Sequence, residues 1–232
     1  VLLVATIRAL RYHGGATKEQ YNDANVSRVE KGFVNLEKHI ENMKKFGLNP
    51  VVAINSFFTD SDEEVALVKE KCKAMGVNAI VSKGFADGGV GTKELATAVV
   101  NEIENGNNNF KQLYDWNAPV KVKIETIAKE IYGADGVEYS KKALIQLDKI
   151  ENLGLDKLAI CMAKTQKSFS DNDRLTGRPT GFKVTVREFE FASGAGFVIP
   201  ILGNMMRMPG LPAIPASEGM SIDNNGKISG LS

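Results

Sequence analysis

Three apolar segments alternate with amphipathic ones in the first half of the chain, and this alternation limits the possible folds more than any other feature of the sequence. Val1–Ile7, Val51–Asn55 and Ala79–Ser82 are continuous apolar runs. Such runs are typical of strands buried on both faces of a parallel sheet. Between the first two runs, apolar residues recur at steps of three and four from Val26 to Phe46. This spacing predicts one face of a long amphipathic helix.

Two shorter helices are predicted after the second and third strands. One runs from about Asp60 to Met75, with Asp60 and Glu63 as its capping box and Gly76 as its end. The other covers Thr92–Glu104. Strand–helix alternation of this kind predicts right-handed βαβ units on a parallel sheet. We therefore predict an α/β fold with a Rossmann-like sheet related to that of the P-loop NTPases.

The chain beyond a turn at Gly106–Asn109 departs from this order, and we predict a smaller α+β region there. The predicted helices and strands of this part are, in chain order, Val122–Tyr132, Lys141–Asn152, Leu158–Ala163, Val184–Phe191 and Gly196–Leu202. A hairpin with a type I′ turn is predicted at Asn225–Gly226. The domain prediction is residues 1–112 for the parallel-sheet region and 113–232 for the second region.

A proline-rich segment, Met208–Asp223, lies near the end of the chain. Pro209, Pro212 and Pro215 are three of the seven prolines. Each proline fixes φ and removes a backbone donor, so the segment is unsuited to a helix interior or a central strand. It predicts a stiff loop, the kind of element on which binding residues are often held.

Composition excludes several functional classes. A net charge of +1 without a basic cluster argues against nucleic-acid binding, and no apolar run is long enough for a membrane helix. Two distant cysteines predict a reducing compartment rather than a disulfide framework. His13 and His39 have no second His or Cys at ligand spacing, so no metal site is predicted.

Candidate binding residues follow the predicted strands, because ligands of open α/β sheets bind beyond the carboxyl ends of the strands. Phe57 or Phe58 follows one strand and Phe85 the next, so their rings could face each other across a slot for a flat ligand. The alternative is that these rings belong to the core. Gly88 and Gly89 precede a helix and could bind an anion, although a plain helix-starting turn explains them better.

Three polar residues, Lys164–Gln166, follow a later strand. They could bind phosphate or carboxylate, or they could form a satisfied polar end of the strand. Catalytic residues are not predicted, since neither Ser nor Cys has a nucleophile-elbow context.

Several segments together resemble the C-terminal part of formate–tetrahydrofolate ligase, also called 10-formyltetrahydrofolate synthetase. The segments are AINSFFTD, EIYGADGV, KTQKSFSDN, TVREFEFASGAGF, MPGLPAIPASEGMSID and GKISGL, and the similarity extends over the whole sequence in the expected order. The resemblance implies an ATP-dependent ligase of one-carbon metabolism that makes 10-formyltetrahydrofolate from formate, tetrahydrofolate and MgATP through formyl phosphate. It also implies a cytoplasmic homotetramer without a prosthetic group, and a monovalent cation is a further candidate ligand.

The resemblance also implies roles for individual residues. Phe57 and Phe85 would hold the pterin ring between them, with Asp60, Gly88 and Gly89 in the same folate loops. Phe85 stands where the family commonly has Trp, Phe58 where it has Pro, and Asp87 where it has Lys. In the proline loop, the residues that would lie near the adenine are Pro212, Pro215, Ala216 and Ser217.

The phosphate-binding loop of the family, GxxxxGK[ST], does not occur in these 232 residues. We therefore expect the chain to be the C-terminal portion of the ligase, inactive alone and partnered with an N-terminal part that contains the loop. Residues 1–112 would continue that upstream nucleotide-binding domain. The alternatives are a split or truncated non-catalytic half, and a part of a multifunctional folate enzyme.

Overall fold

The computed structural model describes residues 1–205 and 213–230 of the chain. Its strands are β1 (Leu2–Ala5), β2 (Val51–Asn55), β3 (Ala79–Ser82), β4 (Gly136–Tyr139), β5 (Ala159–Ile160), β6 (Lys183–Ala192), β7 (Phe197–Leu202), β8 (Ser221–Ile222) and β9 (Ile228–Ser229). Its α-helices are α1 (Ile7–His13), α2 (Val26–Lys45), α3 (Asp62–Ala74), α4 (Gly84–Asp87), α5 (Lys93–Asn105), α6 (Val120–Thr126) and α7 (Lys141–Asn152). A π-helix, Ile127–Tyr132, continues α6.

The first sheet is parallel throughout, in the order β1-β2-β3. Helices α1, α2 and α3 cover one of its faces, where Val52 and Ile54 contact them. Helix α5 covers part of the other face, where Leu95 meets Val51 and Ala53. The predicted α/β fold with a parallel sheet is confirmed.

Two predicted boundaries in this region were wrong. Strand β1 ends at Ala5, and helix α1 begins at Ile7 because the Thr6 side chain accepts a hydrogen bond from the backbone N–H of Ala9. The predicted capping box of α3 is shifted by one residue, since Ser61 is its N-cap and Glu64 its partner. The first error arose because an apolar run does not show where a strand ends and a helix begins. The second arose because short polar side chains at adjacent positions can each cap a helix.

The second sheet is mixed, in the order β4-β6-β7-β5. Strands β6 and β7 are antiparallel, while β4 pairs parallel with β6 and β5 pairs parallel with β7. Helices α6 and α7 bury Ile124 and Leu147 in its core. The sequence prediction missed β4, and the strand predicted at Leu158–Ala163 is only two residues long apart from an isolated bridge at Ala163.

The predicted hairpin is present as β8 and β9, but its turn is not type I′. A type I′ turn needs positive φ at both central residues, and among the described residues only glycines have positive φ, here Gly226 at 79°. The Asp223 carboxylate instead accepts hydrogen bonds from the backbone N–H groups of Asn225 and Lys227. The N–H of Gly226 also donates to the Asp223 carbonyl at 3.0 Å, so the backbone and the side chain of Asp223 close the turn together.

Helix α2 joins the two sheets through polar side chains that bind main-chain atoms of the second region. Asn35 donates to the Gly177 carbonyl, Lys38 to the Glu130 carbonyl and Asn42 to the Ile131 carbonyl, each at 2.9 Å. All three of these side chains are buried. These three contacts cross the predicted domain boundary at residue 112. That boundary stays a prediction.

Candidate functional site

A cleft of ≈ 820 Å³ lies beyond the carboxyl ends of β2 and β3. This is the position that the sheet topology favours for a ligand. Its lining includes Phe57, Phe58, Asp60, Lys69, Lys83 and Asp87. Two of the predicted folate residues, Phe57 and Asp60, are therefore brought together in one cavity.

The wall that follows β2 is fixed by hydrogen bonds to its backbone. The Asp60 carboxylate accepts from the N–H of Phe57 at 2.8 Å, which closes the turn on itself. Arg11, from helix α1, donates to the Thr59 carbonyl at 2.9 Å. The backbone that holds Phe57 is thus tied at both its start and its end.

A fully buried ion pair supports this wall from below. The Arg11 guanidinium donates to both carboxylate oxygens of Glu64, at 2.8 and 2.5 Å. The same carboxylate accepts from the backbone N–H groups of Asn25 and Ser61. Glu64 therefore joins three segments, and the hydrogen bond from Arg11 holds its pKa below the usual value in spite of burial.

Asp60 has one carboxylate oxygen without a partner. Its side chain is 1% exposed, and Oδ1 accepts no hydrogen bond among the described residues, with the Arg11 guanidinium 4.0 Å away. Burial raises the pKa of Asp60 above its usual value. A buried acceptor of this kind is costly unless a ligand satisfies it.

The Phe57 ring is covered on one face by a cation. The Arg8 guanidinium lies 5.2 Å from the ring centroid, a distance at which cation–π attraction is significant. Arg8 is itself held by the Asn22 side chain at 2.7 Å. Phe57 also lines the cleft, so its ring lies between the cation and the cavity wall.

The wall that follows β3 is far more open. Phe85, on the short helix α4, is 98% exposed and does not line the cleft. Gly88 has φ of +58°, and Gly89 follows it in a helical conformation. The N–H groups of Gly91 and Thr92 donate to the carbonyls of Gly88 and Gly89, as in a helix-starting turn. Phe57 and Phe85 do not enclose a slot in this conformation, and the predicted sandwich stays a prediction.

The polar residues after β5 are mostly satisfied within the chain. The Lys164 ammonium donates to the carbonyls of Thr165 and Ser168 and lies 4.9 Å from the Tyr132 ring centroid. Burial lowers the pKa of Lys164 to about 8. Of the two interpretations offered by the sequence, the satisfied strand end fits Lys164. Thr165 and Gln166 line a separate cleft of ≈ 900 Å³ next to Gly203.

The proline loop lies only partly within the described residues. Pro212, one of the four predicted adenine contacts, lies outside them. Pro215 precedes a 3₁₀ turn, Ala216–Gly219, and the three remaining predicted residues, Pro215, Ala216 and Ser217, are all exposed. Their role stays a prediction.

Comparison with known families identifies the chain. The family model for formate–tetrahydrofolate ligase matches residues 1–232. The chain belongs to the formate–tetrahydrofolate ligase family. Members of this ligase family use ATP and tetrahydrofolate as substrates. The resemblance that the sequence motifs indicated is therefore confirmed, and the cleft beside Phe57 lies in a chain of a folate-using family.

Sequence analysis missed the residues that hold the Phe57 wall in place. Strand β1 was predicted to reach Ile7, but it ends at Ala5. The rule that ligands bind beyond the carboxyl ends of strands therefore selects Thr6–Arg8, and the prediction did not include them. Arg11 and Glu64 lie within predicted or missed helices and are distant in sequence. The sequence contained one usable signal for this support: Arg11 lies on the buried face of α1 beside the apolar residues Ile7 and Leu10.

Two kinds of feature are absent from the described residues. No helix there combines the length and the apolar character needed to cross a bilayer. Within residues 1–205 and 213–230, no group of three or more His, Cys, Asp or Glu side chains is placed to hold a metal ion.

Proposed function

We propose that this chain supplies the folate-binding slot of a ligase that forms 10-formyltetrahydrofolate from formate, tetrahydrofolate and ATP. The observation that carries the proposal is the cleft at the ends of β2 and β3, lined by Phe57 and Asp60, in a chain matched along its length by the ligase family. The pterin ring is flat and carries N–H donors on its edge. It would stack on the face of the Phe57 ring opposite Arg8. It would also donate to the unpartnered oxygen of Asp60, which is buried in the unliganded chain and would have to become accessible on binding.

Phe85 would form the second face of the slot. Its ring is already exposed on a short helix followed by Gly88 and Gly89, so its approach to Phe57 needs only a change in this loop. Asp87 lies in the cleft lining, where the family commonly has a lysine. A carboxylate there would oppose the anionic tail of the folate.

The reaction in this proposal proceeds through formyl phosphate. Formate is a poor acyl donor until one of its oxygens becomes part of a phosphate leaving group. An attack of formate on the γ-phosphate of ATP would form this anhydride and release ADP, and the folate amine would then attack the formyl carbon and release phosphate. Such transfer depends on positioning and charge neutralisation, and on exclusion of water from the anhydride.

The phosphate-binding residues would come from outside these 232 residues, which contain no GxxxxGK[ST] segment. Pro212, Pro215, Ala216 and Ser217 would form one wall of the adenine pocket. In this proposal the working enzyme is a cytoplasmic homotetramer, and a monovalent cation is a candidate ligand of it. A non-catalytic half that needs an N-terminal partner is the second candidate.

Titration of the chain with tetrahydrofolate tests the slot. Phe57→Ala and Phe85→Ala should each weaken binding by about 10- to 100-fold, since stacking and burial of a ring are worth about 1–3 kcal/mol. Phe191→Ala removes an exposed ring elsewhere and should leave the affinity unchanged. Asp87→Lys should strengthen binding.

Absence of tetrahydrofolate binding by the folded chain, together with an unchanged KM for tetrahydrofolate in a Phe57→Ala ligase that contains the phosphate-binding part, would refute the slot. Formation of ADP from formate and ATP by that ligase tests the formyl phosphate step. If this chain alone formed 10-formyltetrahydrofolate, the proposal that the phosphate-binding residues come from outside these 232 residues would be wrong.

A further inference from the structure

A second cavity, of ≈ 390 Å³, lies at the junction between helix α2, the segment 110–116 and the second sheet. Its walls include Phe46, Phe110, Trp116 and the π-helix residues Ile127 and Ile131. It shares no lining residue with the cleft beside Phe57. Its volume lies within the range of about 300–1,000 Å³ that is usual for small-molecule sites.

The walls of this cavity are apolar yet accessible. Phe110 is 64% exposed and Trp116 is 44% exposed. No lining residue is charged, and nearly all are apolar or aromatic. Exposed aromatic rings grouped around a concave surface mark a binding site rather than an ordinary surface.

Backbone and side-chain hydrogen bonds hold the walls in position without a ligand. The N–H of Lys111 donates to the Phe46 carbonyl at 3.0 Å, which fixes the segment that carries Phe110 to the end of α2. The Tyr114 hydroxyl accepts from the N–H of Ile160 at 3.2 Å and so fixes the same segment to β5. A ligand would therefore meet a preformed cavity, which reduces the entropy lost on binding.

One wall is a π-helix, Ile127–Tyr132, which contributes three of the lining residues. π-Helical turns are rare and are frequently found at functional sites. Two polar groups on the lining are unused: the Tyr132 hydroxyl and the Gln112 amide have no hydrogen-bond partner among the residues that the structure describes. Burial raises the pKa of Tyr132 to about 12, so its hydroxyl stays protonated at neutral pH.

We propose that this cavity binds a small, flat, uncharged aromatic molecule that carries one hydrogen-bonding group on its edge. The aromatic walls select a flat apolar body, and the absence of charge on the lining disfavours phosphates and carboxylates. The Tyr132 hydroxyl and the Gln112 amide select the polar edge. The site is distinct from the folate cleft and does not depend on the proposed function.

2-Naphthol, which is uncharged at neutral pH, is a suitable probe. We expect calorimetric titration of the 232-residue chain to show one site per chain. The emission of Trp116 should change at the same stoichiometry, and since Trp116 is the single tryptophan of the sequence, that signal reports on this cavity directly. No heat and no change in Trp116 emission would overturn the proposal.

Three variants locate the site. Ile131→Trp fills the cavity and should weaken binding at least about 10-fold, while Tyr132→Phe removes only a hydroxyl and should weaken it about 3- to 10-fold. Tyr139→Phe removes a hydroxyl that does not line the cavity and should change nothing. Circular dichroism and thermal unfolding confirm that each variant is folded.

Two results would contradict the proposal with a folded protein. Binding that Ile131→Trp leaves unchanged would place the probe elsewhere. The second result is a dimer of the chain in sedimentation that does not bind 2-naphthol and that Ile131→Trp dissociates. This result would identify a second copy of the chain as the occupant of the cavity.

Discussion

The two loops that form the proposed folate slot are built in opposite ways. The loop after β2 is tied to helices α1 and α3 by Arg11, Asp60 and Glu64, and these three side chains are almost fully buried. The loop after β3 carries an aromatic ring that is 98% exposed and a glycine with positive φ. One wall of the cleft is thus tied to two helices by buried side chains, and the other presents its aromatic ring to solvent.

The largest effect is expected from breaking the fixed wall. Arg11→Met leaves the Glu64 carboxylate buried without its cation, and loss of one partner of a buried ion pair costs about 3–5 kcal/mol. Denaturant unfolding should show this loss. Lys71→Met removes an exposed pair with Glu30 and should cost at most about 1 kcal/mol. Equal effects of the two substitutions would show that the buried pair does not hold the wall.

A smaller effect is expected from the backbone of the open wall. Gly88 has φ of +58°, and no atom lies within 4 Å of the position that an added Cβ would take. Gly88→Ala is therefore opposed by backbone strain alone, worth about 1–3 kcal/mol. Gly89 has helical φ and equal space, so Gly89→Ala should be neutral or stabilising by up to about 1 kcal/mol. Thermal unfolding compares them. A similar loss of stability in Gly88→Ala and Gly89→Ala would mean that steric contacts of the added methyl group, and not the φ angle, determine the cost.

The pH dependence of Asp60 sharpens the contrast between the walls. Because burial raises its pKa in the folded state, the folded state binds the proton more readily than the unfolded state. The contribution of Asp60 to stability is therefore present at low pH and is lost as pH rises through the raised pKa. Asp60→Asn does not titrate, so its stability relative to the native chain should increase with pH over this range.

Unfolding curves of Asp60→Asn and of the native chain at several pH values should show this pH-dependent difference in stability. The expected effect on ligand binding is a loss, in contrast to the expected gain in stability. Asp60→Asn should weaken tetrahydrofolate binding while leaving the protein folded. If Asp60→Asn is stabilised and its affinity for tetrahydrofolate is unchanged, Asp60 does not contact the folate.

The smallest effect on stability is expected at Phe85. Its ring contacts little of the protein, so Phe85→Ala should change the free energy of unfolding by less than about 0.5 kcal/mol. Phe85→Trp, which places a larger ring at the proposed second face of the slot, should leave stability equally unaffected and should strengthen tetrahydrofolate binding. A large loss of stability in Phe85→Ala would show that the ring packs against the protein.

The sequence was sufficient for the elements whose apolar pattern is long. Helix α2 and strands β2 and β3 were predicted within a residue of their observed ends, and the family followed from the motifs. Strand β4 and the short β5 were not predictable in this way, because two to four residues give too little periodicity. Their pairing is set by β6 and β7, which are distant in sequence.

The candidate site was predictable only in its aromatic residues and in Asp60. Phe57 and Asp60 stand directly after an apolar strand, and the strand-end rule selects them. The support from Arg11 and Glu64 joins residues 53 positions apart, and no local pattern contains that information. The orientation of Phe85 depends on the conformation of a glycine-rich loop, which the sequence leaves open.

The junction made by helix α2 has a consequence for how this ligase chain can evolve. Asn35, Lys38 and Asn42 donate to carbonyl groups, which every amino acid carries. At this junction residue 130 can therefore be exchanged without loss of its contact, provided that the backbone keeps its course, whereas Gly177 is restricted by its φ of +71°. Variation in the side chain at position 130 should accordingly be tolerated better than variation at the donor positions on the helix.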